Sequence, residues 1–212
     1  MLTLEQARSW YPDGDPVHNF AHMERVFNLA HQLAVAEGAD LEIVHAAALL
    51  HDAQPSGATD TPQRKDHHQT AAVFAGKMLT EQGWSTERID AVKYAILAHR
   101  YRDDQLEPKT LEAQILFDAD KLDAIGAVGV ARAIAYCVMA GEPFYDTPSS
   151  HFKQTGETLP SEPHSAYHEY VFKLRKIKQL LYTETGNKLA EKRDELITAY
   201  FQQLQAEVEG TL

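Results

Sequence analysis

Cysteine occurs once in the 212 residues, at Cys137. A lone thiol can neither close a disulfide within the chain nor supply the paired thiolates of a structural zinc site. That usage fits a reducing cytoplasm, the location expected here. The first residues, Met1-Leu2-Thr3-Leu4-Glu5-Gln6, lack the basic start and apolar core of a secretory signal. No apolar run nears the roughly 18 residues that cross a bilayer, so a soluble protein without a membrane partner is expected. Positive charge is also scarce, with 20 basic against 31 acidic residues and a net charge of −11. Gripping a nucleic-acid polymer through its backbone takes a basic stripe, and that class is set aside. Also missing are a G-x-S-x-G elbow, a P-loop and a dinucleotide-binding glycine fingerprint, which leaves serine hydrolase, nucleotide motor and Rossmann readings without a starting point.

What is present is helical periodicity from end to end. With 44% hydrophobic residues the chain can bury one good core, and no period-two run argues for a strand, so the expected fold class is all-α. Helices are expected over about 17–37, 40–53, 65–82, 85–99, 109–123 and 125–140, closed in turn by breakers such as Gly38, Gly83 and Gly141. From 142 to 163 the composition turns to Pro, Ser, Thr and Gly with Phe144, Tyr145 and Phe152 among them, which suggests a packed lid. Two amphipathic helices, about 164–183 and 187–208 with Gly186 between them, complete a single domain over 1–212 whose core spans about 17–140.

Eleven histidines are present, and they cluster. His51-Asp52 closes the apolar run Ile43-Val44-His45-Ala46-Ala47-Ala48-Leu49-Leu50, placing two metal-ligand types where a buried helix meets solvent. His18 and His22 stand four apart on one helical face. The spacing matches zinc peptidases, but Asn19 occupies the position of their general-base Glu. Further on come His67-His68, then His99 after Ala95-Ile96-Leu97-Ala98, then Phe117-Asp118-Ala119-Asp120-Lys121-Leu122-Asp123. Carboxylates in a helix that would otherwise be core need a cation or a network of donors. Taken singly, each of these groups also fits a satisfied core histidine, a helix cap or a surface ion pair.

In order, His22, His51-Asp52 and Asp120 form the signature of the HD-domain superfamily of metal-dependent phosphohydrolases, which this chain resembles. The likeness extends to His18–Val26, to Ala47–Asp52, to the block Asp118-Ala119-Asp120-Lys121-Leu122-Asp123-Ala124-Ile125-Gly126-Ala127 and to Thr183–Arg193. Together these look like a stand-alone bacterial subfamily of nucleotide hydrolases. The resemblance implies a compact single-domain helical bundle of HD type. It implies metal ligation by His22, His51, Asp52 and Asp120, with Asp118 a supporting carboxylate or an alternative fourth ligand. Residues two apart on a helix diverge by about 200°, so only one of the two aspartates can face the ion. His68 and His99 occupy positions suited to a second metal, and His67 is the alternative to His68. The loop 55–66 and the segment 147–163 have no counterpart in the likeness.

Two imidazoles and two carboxylates suit a six-coordinate divalent ion such as Mn, Mg, Co, Ni or Fe. Such an ion acidifies water and polarises a phosphoryl oxygen. Asp52 would stand between two ions if two are present. Either His67 or His68 could donate a proton to the leaving oxygen or bind phosphate, giving His68 a catalytic role and His67 and His99 substrate-binding ones. Lys121 and Arg100 are the nearest sources of positive charge for a substrate phosphate. The expected activity is hydrolysis of a small nucleotide, foremost nucleoside triphosphate to monophosphate and pyrophosphate. Alternatives are a nucleotide phosphatase or phosphodiesterase, a nucleotide sensor without turnover, and a di-iron oxygenase of HD type. The sequence carries no sign of oligomeric state.

Overall fold

The computed structural model describes residues 2–11, 19–53, 67–100 and 106–212. His18, the loop 55–66 and residues 101–105, with Tyr101 and Arg102, lie outside them. Every element among the described residues is helical, as the periodicity predicts.

The first helix, α1 (Leu4–Arg8), is held by a reciprocal capping box between Thr3 and Gln6. Helix α2 (Phe20–Glu37) starts where the Asn19 side chain accepts the His22 N–H, and it stops at Gly38, whose φ of 77° a side chain would resist. Its buried stripe is Met23, Val26, Leu29, Ala30, Leu33 and Ala34. Helix α3 (Leu41–Leu50) is capped by Asp40, and Arg88 forks across Asp40 and Glu42 to fasten that end. Val44 and Ala46 through Leu50 are interior. Leu49 and Leu50 each contribute about 1.5–3 kcal/mol by burial. Helices α4 (His67–Glu81) and α5 (Thr86–Ala98) pack on each other and on α3, and α2 covers α3 from another side. The outcome for function is that α3 delivers His51 and Asp52 into the interior of this group.

Two compact units are distinguishable in the chain. One comprises residues 1–120 with 182–186, the other 121–181 with 187–212. Helix α6 (Leu111–Asp123) contributes Asp118 and Asp120 to the first unit and Lys121 through Asp123 to the second. In the second unit, α7 (Gly126–Met139) begins against Ala124, whose carbonyl oxygen lies 2.3 Å from where a Cβ on Gly129 would stand. Only glycine fits there. Buried Asp123 is paired with Arg132.

The stretch 142–163 departs from an irregular loop. It contains a short helix, α8 (Ser150–Thr155), whose Phe152 is completely buried against His164, His168 and Phe172. The Glu162 carboxylate binds the segment together, accepting from Ser149 N at 2.7 Å, Ser149 Oγ at 2.9 Å, Leu159 N at 2.8 Å and His168 Nε2 at 3.3 Å. Donors from Leu159 and Ser149 hold its pKa down to about 2, from an ordinary 4.5. A carboxyl depressed in the folded state stabilises it above pH 4.5 and loses that contribution as the pH falls toward 2. Glu162→Gln should therefore lower the thermal midpoint at neutral pH, and the gap from the parent protein should close between pH 4.5 and 2. A gap that does not vary with pH would mean that the carboxylate charge is irrelevant.

The C-terminal pair also differs from expectation. Instead of one helix over 164–183 there is α9 (Ala166–Phe172) followed by a 3-10 helix over Leu174–Leu180. Leu174 and Ile177, three apart and so on one face of a three-residue turn, are its buried residues. Gly186 lies inside the first turn of α10 (Glu184–Glu209) instead of between two helices. Its N–H is received by Thr183 Oγ1 at 3.0 Å, and a Cβ there would stand 2.5 Å from Asp118 Oδ2. Close approach, not a break, is what this glycine provides.

Candidate metal centre

His51 and His99 are placed by the same device. Each ends a largely apolar helix, and each Nδ1 reaches back to the carbonyl three residues earlier, His51 to Ala48 O at 2.8 Å and His99 to Ile96 O at 2.5 Å. A carbonyl only accepts, so Nδ1 carries the proton and Nε2 presents its lone pair to the interior. His22 sits in the first turn of α2, Asp52 directly follows His51, and Asp120 lies in the last turn of α6. His67 opens α4.

Asp52 occupies the middle. Its Oδ2 stands 3.9 Å from His22 Nε2 and 3.7 Å from His51 Nε2. Its Oδ1 stands 3.0 Å from His67 Nε2 and 3.8 Å from His99 Nε2. His22 Nε2 is also 3.5 Å from Asp120 Oδ1. Two sets of three result, His22 with His51 and Asp52, and Asp52 with His67 and His99, with the ligand atoms of each set within 4.8 Å of one another. Either could hold a metal ion.

The electrostatics agree with that use. Burial holds the His51 pKa below its ordinary value, with Asp52 opposing, so the ring stays in the neutral form that ligates. Burial alone would raise Asp52, but the positive charge that His51, His67 and His99 carry when protonated outweighs it and draws the carboxyl well below the usual range. Nearby, Tyr11 donates to Leu49 O at 3.0 Å, and burial together with the Asp52 charge pushes its phenol well upward. Most telling is His51 Nε2, which is buried and has no hydrogen-bond partner among the described residues. A lone pair buried 3.7 Å from a carboxylate oxygen leaves two acceptors facing each other, a disposition that a cation relieves. The donor set therefore fits a divalent ion.

The other expected residues fall as follows. Asp118 points away from these groups, accepting from Tyr182 N at 3.0 Å, Thr183 N at 2.8 Å and Thr183 Oγ1 at 2.6 Å. Burial raises its pKa and those donors oppose the rise. His68 is buried with its ring 6.0 Å from that of His67, and it belongs to neither set of three; its neighbour His67 takes the place beside His99. Arg100 reaches His67, its Nη1 lying 3.0 Å from Nδ1. Lys121 follows Asp120 at the start of the second unit. Sequence reasoning missed Tyr11 and the anchoring of Asp118 by Thr183; the Thr183-x-x-Gly186 cap was the available signal for the second.

A profile of the HD domain matches residues 19–125, and the chain belongs to the HD-domain family. YpgQ of Bacillus subtilis is 32% identical over 97% of this chain and 94% of its own length. The crystal structure of YpgQ in complex with ADP has a TM-score of 0.73 at 29% identity, covering 98% of this chain and 99% of that one. A Lactobacillus plantarum protein has a TM-score of 0.74 at 30% identity over 98% of this chain and 95% of that one. A predicted HD-superfamily hydrolase from an uncultured Thermotogales bacterium has a TM-score of 0.65 at 29% identity, covering 96% and 90%. Among the described residues no single helix is long and apolar enough to cross a membrane.

Proposed function

We propose that the chain is a metal-dependent phosphohydrolase of small nucleotides, acting foremost on nucleoside triphosphates to give monophosphate and pyrophosphate. The observation that carries the proposal is the Asp52 carboxylate shared between two imidazole sets, with a buried, unsatisfied His51 Nε2 beside it. The ADP bound by YpgQ supports a nucleotide as the ligand class.

In this reading His22, His51, Asp52 and Asp120 hold the ion. A divalent ion in that place supplies Lewis acidity, which acidifies water and polarises a phosphoryl oxygen. The chain's own part is orientation. Carbonyls of Ala48 and Ile96 keep the rings of His51 and His99 from turning. His67 faces Asp52 with Nε2, and Arg100 brings a guanidinium to the same edge, the group expected to meet a phosphate oxygen in an otherwise acidic protein.

A panel of nucleoside mono-, di- and triphosphates with Mn, Mg, Co or Ni supplied tests the reading. Pyrophosphate should be released from triphosphates, and EDTA should stop it. Orthophosphate as the sole product would point to a phosphatase. No turnover of any phosphate ester would sink the proposal and favour a sensor.

A further inference from the structure

We propose that Arg100 fixes the tautomer of His67 and so keeps this imidazole out of the metal's ligand set, an inference that rests on the metal centre proposed above. Four imidazoles surround Asp52 at short range, and one of them is turned the other way chemically. His51 and His99 give their Nδ1 protons to backbone carbonyls and offer Nε2 lone pairs. At His67 the neighbour of Nδ1 is Arg100 Nη1, 3.0 Å away. A guanidinium has only donors, so Nδ1 must accept. An imidazole that accepts at Nδ1 carries its proton on Nε2, the atom that here stands 3.0 Å from Asp52 Oδ1.

Ligation of an ion by His67 Nε2 would drive that proton to Nδ1. There it would confront an Arg100 N–H at 3.0 Å, donor against donor. Asp52, His67 and His99 thus have the spacing of a second metal site but only two of its three lone pairs. Arg100 is a positioning residue in this scheme: it acts through His67, leaving that ring as an N–H donor beside the ion and the chain with one ion.

Metal counting by equilibrium dialysis against Mn²⁺ tests this without reference to turnover. The parent protein should take one ion per chain. Arg100→Met should take two, the second bound at least about tenfold more tightly than any second ion in the parent. Adding His67→Ala to Arg100→Met should return the count to one. Arg100→Lys, which still presents only donors, should stay at one. Circular dichroism confirms that each variant is folded. In the metal-free parent, nitrogen NMR of labelled histidine should find His67 protonated at Nε2 and bare at Nδ1. A protonated Nδ1, a second ion in the parent that His67→Ala removes, or a count of one in Arg100→Met would overturn the inference while leaving the metal centre standing. A parent protein that takes no ion would overturn both.

Discussion

Asp52→Ala is expected to abolish turnover, by roughly a thousandfold or more, equivalent to a barrier higher by about 4 kcal/mol. Asp52 meets four imidazoles, with Oδ2 toward His22 and His51 and Oδ1 toward His67 and His99. Removing it takes a ligand from both sets at once. The helical fold should survive, because Asp52 follows the last turn of α3 and the interior formed by Val44 and Ala46–Leu50 does not depend on it. Metal content should fall with activity. The clearest measurement is a melting curve with and without Mn²⁺: the parent should gain stability, about 2.7 kcal/mol at a hundredfold excess over the dissociation constant, and the variant should gain none. Retained activity would place the reaction elsewhere.

The second large effect concerns stability. Asp118→Ala should cost about 3 kcal/mol, because it strips the Tyr182 and Thr183 N–H groups and the Thr183 hydroxyl of a fully buried acceptor. Asp118→Asn should cost less. With its oxygen turned toward Thr183 it keeps two of the bonds and sets an NH₂ against the Tyr182 N–H. Gly186→Ala should resemble Asp118→Ala, since the added methyl would meet Asp118 Oδ2 at 2.5 Å and Thr183 Oγ1 at 2.6 Å. Urea unfolding measures all three. Asp120→Ala should show the opposite profile, with metal binding lost and stability near that of the parent. If Asp118→Ala instead loses metal at unchanged stability, the roles of the two aspartates are exchanged.

Much of this was legible in the residues. The helices α2 through α7 carry their stripes openly, α2, α3 and α5 their caps as well, and His22, His51, Asp52 and Asp120 announce themselves as ligand types at the edges of apolar runs. What stayed hidden depends on partners distant in sequence. Which of Asp118 and Asp120 lies beside His22 is decided by Thr183, 65 residues from Asp118, whose hydrogen bonds turn the Asp118 carboxylate away. Whether His67 or His68 lies beside His99 is decided by the rotation of α4 about its axis, and adjacent residues give periodicity no purchase on that choice. The ordered α8 was masked by composition: Pro, Ser and Thr look irregular until Glu162 gathers the N–H groups of Ser149 and Leu159.

The backbone carbonyls that receive His51 Nδ1 and His99 Nδ1 have an energetic corollary. An ordinary histidine must surrender its rotational freedom on binding an ion, a loss of about 0.5–1.5 kcal/mol for each mobile side chain. His51, the proposed ligand of the two, has already surrendered it during folding, where the interior of α3 bears the cost. Affinity for the ion is then free of that discount, and its association should proceed without a conformational delay.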